Sequence, residues 1–342
     1  MSKSIYFVLP NRIGDAILSL PAILCFKQLN DLAEPELKKE ITIFPPDSLF
    51  EIIWSLKICK TLNLEEIIKV HSWFKPLEEV FSWNNSTQLI GLKAKQIYGE
   101  KVKSRWVSQF YTKDLKYLDL DKTAELLDPE LIRFLKEEKK LSLASIRYFG
   151  CMLDLGYTTE QIKKVFDFDT NSFALPAEGF NGWEPNLIKN NYIVFSMEAA
   201  YGRKHEAKRR WNEENYFKIA EYIYEKHGLI SVFIGLEKLP LIPSSAKYII
   251  DQRNKLTTVQ LAQLMLHSKG YIGNDTGPLH LANLLKKPSV CIYLSTLPEN
   301  YGPIFPQLNF PIIQPTNPDE TFKTIEDYIR EANITNKKQV IF

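Results

Sequence analysis

Cysteine is scarce in this chain and never clustered. Cys25, Cys59, Cys151 and Cys291 stand far apart, which excludes a disulfide framework and any zinc-ligand spacing. That usage predicts a reducing, cytoplasmic setting. Long apolar runs are missing too: no stretch reaches the ~18 residues of a membrane span, and the start, MSKSIYFVLPNR, turns polar after a short apolar run. Net charge is nearly absent, and a formal +2 excludes bulk electrostatic binding of nucleic acid. There are no repeats and no low-complexity tracts. Several chemistries lack their signatures. The chain has no GxGxxG for a dinucleotide, no GxxxxGK followed by Ser or Thr, and no GxSxG, while His205-Glu206 lacks the second His of a zincin helix.

What is present is an ordinary composition, 45% hydrophobic and 25% charged, in 342 residues, enough for two domains that each bury a core. In the first half, Ile5 to Leu9 reads as a buried strand, then a turn and an apolar helix from about Asp15 to Leu29 that Pro21 should kink. Further strands are predicted at Ile41 to Phe44, Ile67 to Val70 and Gln96 to Tyr98, and an amphipathic helix over Ser142 to Leu155. From Asp167 to Asn191 the periodicity decays into an Asn-, Gly- and Pro-rich stretch of linker type, which gives domains of residues 1–175 and 176–342. Periodicity then returns. Strands are predicted at Tyr192 to Ser196, Ile230 to Ile234, Tyr248 to Ile250, Tyr271 to Gly273 and Val290 to Leu294. Helices are predicted over Glu213 to Lys226, Thr258 to His267 and Pro278 to Lys286. Asn212 is the candidate cap of the first, whose shared face carries Tyr216, Ile219, Ala220, Ile223 and Tyr224. A last amphipathic helix starts at Asn317-Pro318-Asp319-Glu320, and its expected place includes packing back on the first domain.

Alternating strands and helices imply parallel sheets covered on both faces, with ligands beyond the carboxyl ends of the strands. Four polar clusters follow predicted strands: Asn11 to Asp15, Arg203 to Arg210, Gly235 to Glu237 and Asn274 to His280. The expectation is one composite site in a cleft between two facing domains.

The last cluster opens GNDTGPLHLANLLKKPSV, Gly273 to Val290. Asp275 and Thr276 are helix-capping types, Pro278 suits a first turn, and Leu279, Leu281, Leu284 and Leu285 give an apolar face. A diphosphate or carboxylate suits such a helix start; an ordinary capped helix with His280 packed beside it fits the same residues. YGRKHEAKRRW, Tyr201 to Trp211, carries five Lys or Arg against one Glu and fits either phosphate recognition or a solvated basic loop. Asp15 follows Gly14 at a helix start, where a negative charge suits the dipole, as a candidate base or a plain terminal charge. Glu237 follows a strand at a position from which acids bind ribose hydroxyls. Asp119-Leu120-Asp121 matches a short metal-holding pattern, and two acids in a surface turn explain it as well.

With these residues in hand the chain resembles the heptosyltransferases of glycosyltransferase family 9. The resemblance rests on LPNRIGDAILSLPAI, Leu9 to Ile23, and on the Asp-Thr-Gly turn of GNDTGPLHLANLLKKPSV with His280 three residues on. Weaker similarity runs through Ser142 to Gly156 and the KRRW segment. It implies an α/β GT-B fold of two Rossmann-like, doubly wound domains, the first binding acceptor and the second a nucleotide sugar. It implies inverting transfer of heptose from ADP-heptose to a lipopolysaccharide core, with no obligatory metal or other cofactor. By position, Asp15 takes the role of general base, Asp275, Thr276, Gly277 and His280 form the donor-binding turn, and Glu237 holds the nucleoside. The family usually has Lys two residues before the Trp of Lys-x-Trp-Pro. Here Arg209 stands there, with Lys208 one earlier and Asn212 in place of Pro, so either cation is a candidate for the leaving group. Another nucleotide-sugar donor, a non-lipid acceptor, or a sugar-nucleotide binder without turnover remain the alternatives.

For the acceptor, Arg12 is the candidate contact, with Lys93, Lys95, Lys101, Lys103 and Arg105 as further cations and Trp73 and Trp83 as aromatics for a bilayer surface; plain surface solubility explains the same charges and is the default reading. A lipid-linked acceptor implies peripheral contact with the inner face of the cytoplasmic membrane.

Overall fold

The computed structural model describes residues 3–10, 12–62, 79–82, 104–106, 127–176, 179–180, 183, 187, 191–198, 206–236, 241–243 and 245–332. The chain divides into two compact units, Met1–Pro176 and Ala177–Phe342. Each contains one wholly parallel sheet.

In the first unit β1 (Lys3–Val8) runs into the 19-residue helix α1 (Ile13–Asp31), followed by β2 (Lys39–Phe44), α2 (Phe50–Ser55), β3 (Lys60–Thr61), β4 (Glu79–Ser82) and β5 (Ser104–Trp106). The strand order is β3-β2-β1-β4-β5, so the direction of winding reverses between β1 and β4. Parallel strands must be covered on both faces. Accordingly Ile5, Phe7 and Ile43 are fully buried, and Phe7 meets Phe26 of α1 edge-on at 5.5 Å. Helix α1 is buried at every position from Ala16 to Phe26, which explains why its sequence is apolar all round rather than striped. It continues through Pro21 to Asp31 as one helix.

Further helical pieces complete this unit: α3 (Pro129–Arg133), α4 (Leu143–Ile146), a 3-10 turn at Arg147–Phe149, α5 (Gly150–Asp154) and α6 (Thr159–Val165), the last started by a Thr158–Gln161 capping box. The single amphipathic helix predicted over Ser142 to Leu155 is therefore three short pieces, buried on both sides. The Ser145 hydroxyl donates to the Leu18 carbonyl at 2.7 Å, drawing one side onto α1, while Phe149 meets Phe166 edge-on at 5.2 Å on the other. The strands predicted at Ile67 to Val70 and Gln96 to Tyr98 lie outside the described residues.

The second unit comprises β6 (Tyr192–Ser196), α7 (Glu213–His227), β7 (Ile230–Ile234), β8 (Ile249–Asp251), α8 (Thr258–Leu266), β9 (Tyr271–Asn274), α9 (Gly277–Leu284), β10 (Ser289–Tyr293), α10 (Pro298–Tyr301), β11 (Asn309–Ile313) and α11 (Asp319–Glu331). Its sheet runs β11-β10-β9-β6-β7-β8, the order of a doubly wound fold with its reversal between β6 and β9. Asn212 caps α7 by accepting the Glu214 N–H at 3.0 Å, and the helix stops at Gly228, whose φ of 65° a side chain would resist. Tyr216, Ile219, Ala220 and Ile223 enter the core as expected. Tyr224 does not; it is 43% exposed and stacks on Tyr248. Ile325, Tyr328 and Ile329 of α11 join the second unit's own core. Among the described residues no helix is long and apolar enough to cross a membrane.

Candidate functional site

In open parallel sheets ligands bind beyond the carboxyl ends of the strands, where the winding reverses. In the second unit that point lies beyond β6 and β9. Gly273 lets these strands approach closely, since a Cβ there would stand 2.7 Å from the Ser196 carbonyl oxygen. Next to it the buried Asn274 side chain ties the strand ends together. Its Oδ1 accepts from the Tyr216 hydroxyl at 2.6 Å, and its Nδ2 donates to the Met197 carbonyl at 3.0 Å. Burial pushes the Tyr216 hydroxyl well above its ordinary pKa, which keeps the proton it donates.

Asp275 and Thr276 then lead into α9. Neither caps it, although both are capping types: Thr276 sits at the N-cap with no side-chain hydrogen bond to the helix. Pro278 has no N–H, and that of Leu279 returns to the Thr276 carbonyl at 3.0 Å. The Thr276 and Gly277 N–H groups stand at the start of α9, where the first amides of a helix have no carbonyl of their own helix to reach. The Asp275 side chain is 4% exposed and turns inward to Arg209, which comes from the 3-10 turn Glu206–Arg209. Arg209 Nη2 donates to the Asp275 backbone carbonyl and, at 3.1 Å, to its Oδ2. His280 Nε2 lies 3.7 Å from Oδ1 of the same carboxylate. Two buried polar atoms here have no hydrogen-bond partner among the described residues, Arg209 Nε and His280 Nδ1.

Downstream, Trp211 Nε1 donates to the Pro315 carbonyl at 3.1 Å and its ring meets Tyr216 edge-on at 5.5 Å. The KRRW segment is thereby fixed with Arg209 against the α9 start and Lys208 exposed. Glu237 and Arg203 to His205 lie outside the described residues. Sequence reasoning missed Glu198, two residues beyond β6. Its Oε2 accepts the Leu236 N–H at 2.7 Å, placing a carboxylate at the ends of β6 and β7. Gly235, at φ 149°, leaves room for it; a Cβ would meet that carboxylate.

In the first unit, Arg12 takes the N-cap position of α1, exposed and making no side-chain cap. Asp15 follows in the first turn, beyond the carboxyl end of β1. Its Oδ1 accepts from Arg147 Nη2 at 2.8 Å, the two side chains being 27% and 2% exposed. Arg147 was not singled out in the sequence; the only signal was its place in the Ser142 to Gly156 stretch. Asp119, Asp121, Lys93, Lys95, Lys101, Lys103, Trp73 and Trp83 lie outside the described residues.

The chemistry available is thus an exposed-edged carboxylate in one unit and, in the other, a guanidinium with backbone amides at a positive helix end. The first can accept a proton, and the second suits a diphosphate.

Comparison with known proteins bears on both. Residues 98–327 match the family described as glycosyltransferase family 9 (heptosyltransferase). A curated relative, lipooligosaccharide heptosyltransferase 2 of Haemophilus ducreyi, is 29% identical over 113 residues, which span 30% of this chain and 30% of that protein. The solved structure of ADP-heptose lps heptosyltransferase II of E. coli superposes over 96% of this chain and 99% of that one, with a TM-score of 0.66 at 14% identity. A glycosyl transferase family 9 protein of Veillonella parvula superposes over 100% of this chain and 96% of that one, with a TM-score of 0.61 at 18% identity. The α/β, doubly wound GT-B fold class expected from the sequence is the one these similarities show.

Proposed function

From the premise that this chain belongs to glycosyltransferase family 9, the heptosyltransferases, we propose that it moves a heptose from ADP-heptose to a hydroxyl of a lipopolysaccharide core acceptor with inversion. Asp15 takes the proton of the acceptor hydroxyl as its oxygen attacks the anomeric carbon. The bond from that carbon to the distal phosphate oxygen breaks, and ADP leaves with the electron pair. Negative charge then grows on the diphosphate. Arg209 and the Thr276 and Gly277 amides meet it, so the step needs no metal ion.

The observation that carries this reading is the constellation of Arg209, Asp275 and the α9 start where the second sheet reverses its winding. Asp275 is part of that constellation at the donor-binding turn: its carboxylate aligns Arg209 and lies 3.7 Å from His280 Nε2. In this reading Glu237 holds the nucleoside and Arg12 meets an anionic group of the acceptor. A lipid-linked acceptor places the reaction at the inner face of the cytoplasmic membrane, with peripheral contact only. The E. coli structure named for ADP-heptose and lps supports the choice of donor and acceptor class.

Arg209 at the position usually held by Lys favours one second reading, a different nucleotide-sugar donor in the same pocket. ADP-heptose, GDP-heptose, UDP-sugars and GDP-sugars are to be compared for their effect on the thermal midpoint, which rises only with a ligand that binds the folded state. Protection by ADP-heptose is expected. Protection by a uridine sugar alone would contradict the heptose reading.

A further inference from the structure

Burying a guanidinium is costly unless its charge is met, and the cost greatly exceeds what a surface ion pair returns. Arg147 is 2% exposed, yet it sits in the 3-10 turn between α4 and α5 and not in a continuous helix. Contacts to Asp15 and Tyr148 help to hold it there. Nη2 donates to Asp15 Oδ1 at 2.8 Å and to the Tyr148 hydroxyl at 2.7 Å, and the guanidinium carbon lies 4.7 Å from the centre of the Tyr148 ring. Two residues earlier, Ser145 is fastened to the Leu18 carbonyl, one turn along α1 from Asp15. The turn that carries Arg147 is therefore registered on the very helix whose first turn carries Asp15, across 132 residues of sequence.

We propose that Arg147 is the positioning residue of the transfer: by holding Oδ1 it fixes the Asp15 carboxylate so that Oδ2 faces the acceptor hydroxyl. This rests on the reading of Asp15 as the base. Among the described residues Oδ2 accepts no hydrogen bond, so one oxygen is anchored and the other is left for the incoming proton. The separation of labour follows from exposure. Asp15, 27% exposed, reaches solvent and substrate; Arg147, at 2%, reaches neither and acts only through Asp15. Its charge persists throughout the cycle, because a guanidinium keeps its proton. The planar fork sets the direction of the carboxylate as a point-charge ammonium does not, which makes Lys a poor substitute.

The test uses the full chain with ADP-heptose and a core acceptor, measuring kcat and both KM values for wild type, Asp15→Ala, Arg147→Ala and Arg147→Lys. A misplaced reacting group costs on the order of 10²-fold in rate. Arg147→Ala is expected to lose about that much in kcat with the ADP-heptose KM unchanged, and added guanidinium to restore part of it. Arg147→Lys is expected to fall between, roughly tenfold down, and carries the test by itself where the Ala variant does not fold. Arg147 variants within about threefold of wild-type kcat while Asp15→Ala is inactive overturn this proposal alone. An acceptor KM raised at unchanged kcat also overturns it, since Arg147 then binds substrate. An active Asp15→Ala overturns instead the reading of Asp15 as the base.

Discussion

Tyr216→Phe removes one oxygen atom from the second unit and tests how the strand ends under the donor site are held. Tyr216 is fully buried, Asn274 is 1% exposed, and their hydrogen bond is 2.6 Å long. No other donor reaches Asn274 Oδ1 among the described residues, so the substitution leaves a buried amide oxygen without its partner. Such an orphan costs about 1–3 kcal/mol, well above the ~1 kcal/mol net worth of an average hydrogen bond. For a unit of this size each kcal/mol moves the thermal midpoint by roughly 2–4 °C, giving an expected drop of about 2–12 °C. The assay is thermal unfolding of the whole chain, with hydrogen exchange of the β6 and β9 amides to locate the loss. Repeating the substitution on an Asn274→Ala background should cost less by ~1 kcal/mol or more of coupling. An unchanged midpoint, or an equal cost on both backgrounds, refutes the claim that this hydrogen bond ties β9 to α7.

Two further outcomes follow from named contacts. Arg209→Ala should weaken ADP binding about tenfold or more, the worth of a hydrogen bond to a charged group, whereas Lys208→Ala changes it less than threefold by calorimetry; the reverse order would assign the diphosphate to Lys208. In the second, Arg253, 2% exposed, grips Asp251 through Nε at 2.9 Å and Nη2 at 2.9 Å and holds its carboxyl below the usual carboxylate range. A depressed folded pKa stabilises above the unfolded value of about 3.9 and is lost as pH falls through the folded one. Asp251→Asn should therefore lower the urea midpoint at neutral pH and converge with wild type as the pH falls through the lowered carboxyl pKa of the folded state. A gap that persists in acid would mean that shape and not charge is responsible.

The second unit was the more legible because its inner strands are short, buried runs between polar turns. YIVFS and ISVFI carry an unambiguous signal, and β6 and β7 begin and end where it does. NFPII was missed since Pro311 breaks the strand pattern. As β11 it pairs only with β10, at the sheet edge where a missing N–H is tolerated. In the first unit a two-residue strand such as β3 offers no periodicity to read, and the segment carrying Arg147 hides its turns because nearly all of it is buried, polar residues included. Site residues were legible as types and not as pairs. Asp275 read as a cap, yet a partner 66 residues away takes its carboxylate, and nothing local announces Arg209 as that partner. The Asp15 and Arg147 pairing is equally silent, because contact between distant positions is decided by topology and not by propensity.

The most direct measurement pairs transfer with donor binding in Asp15→Ala. Transfer from ADP-heptose should fall by about 10²–10⁴-fold, the contribution of a positioned base, while the Kd for ADP stays within about twofold, because the diphosphate contacts belong to the second unit. Undiminished transfer, or loss of ADP affinity in step with transfer, would contradict a base in the first unit acting on a donor held by Arg209 and the α9 start.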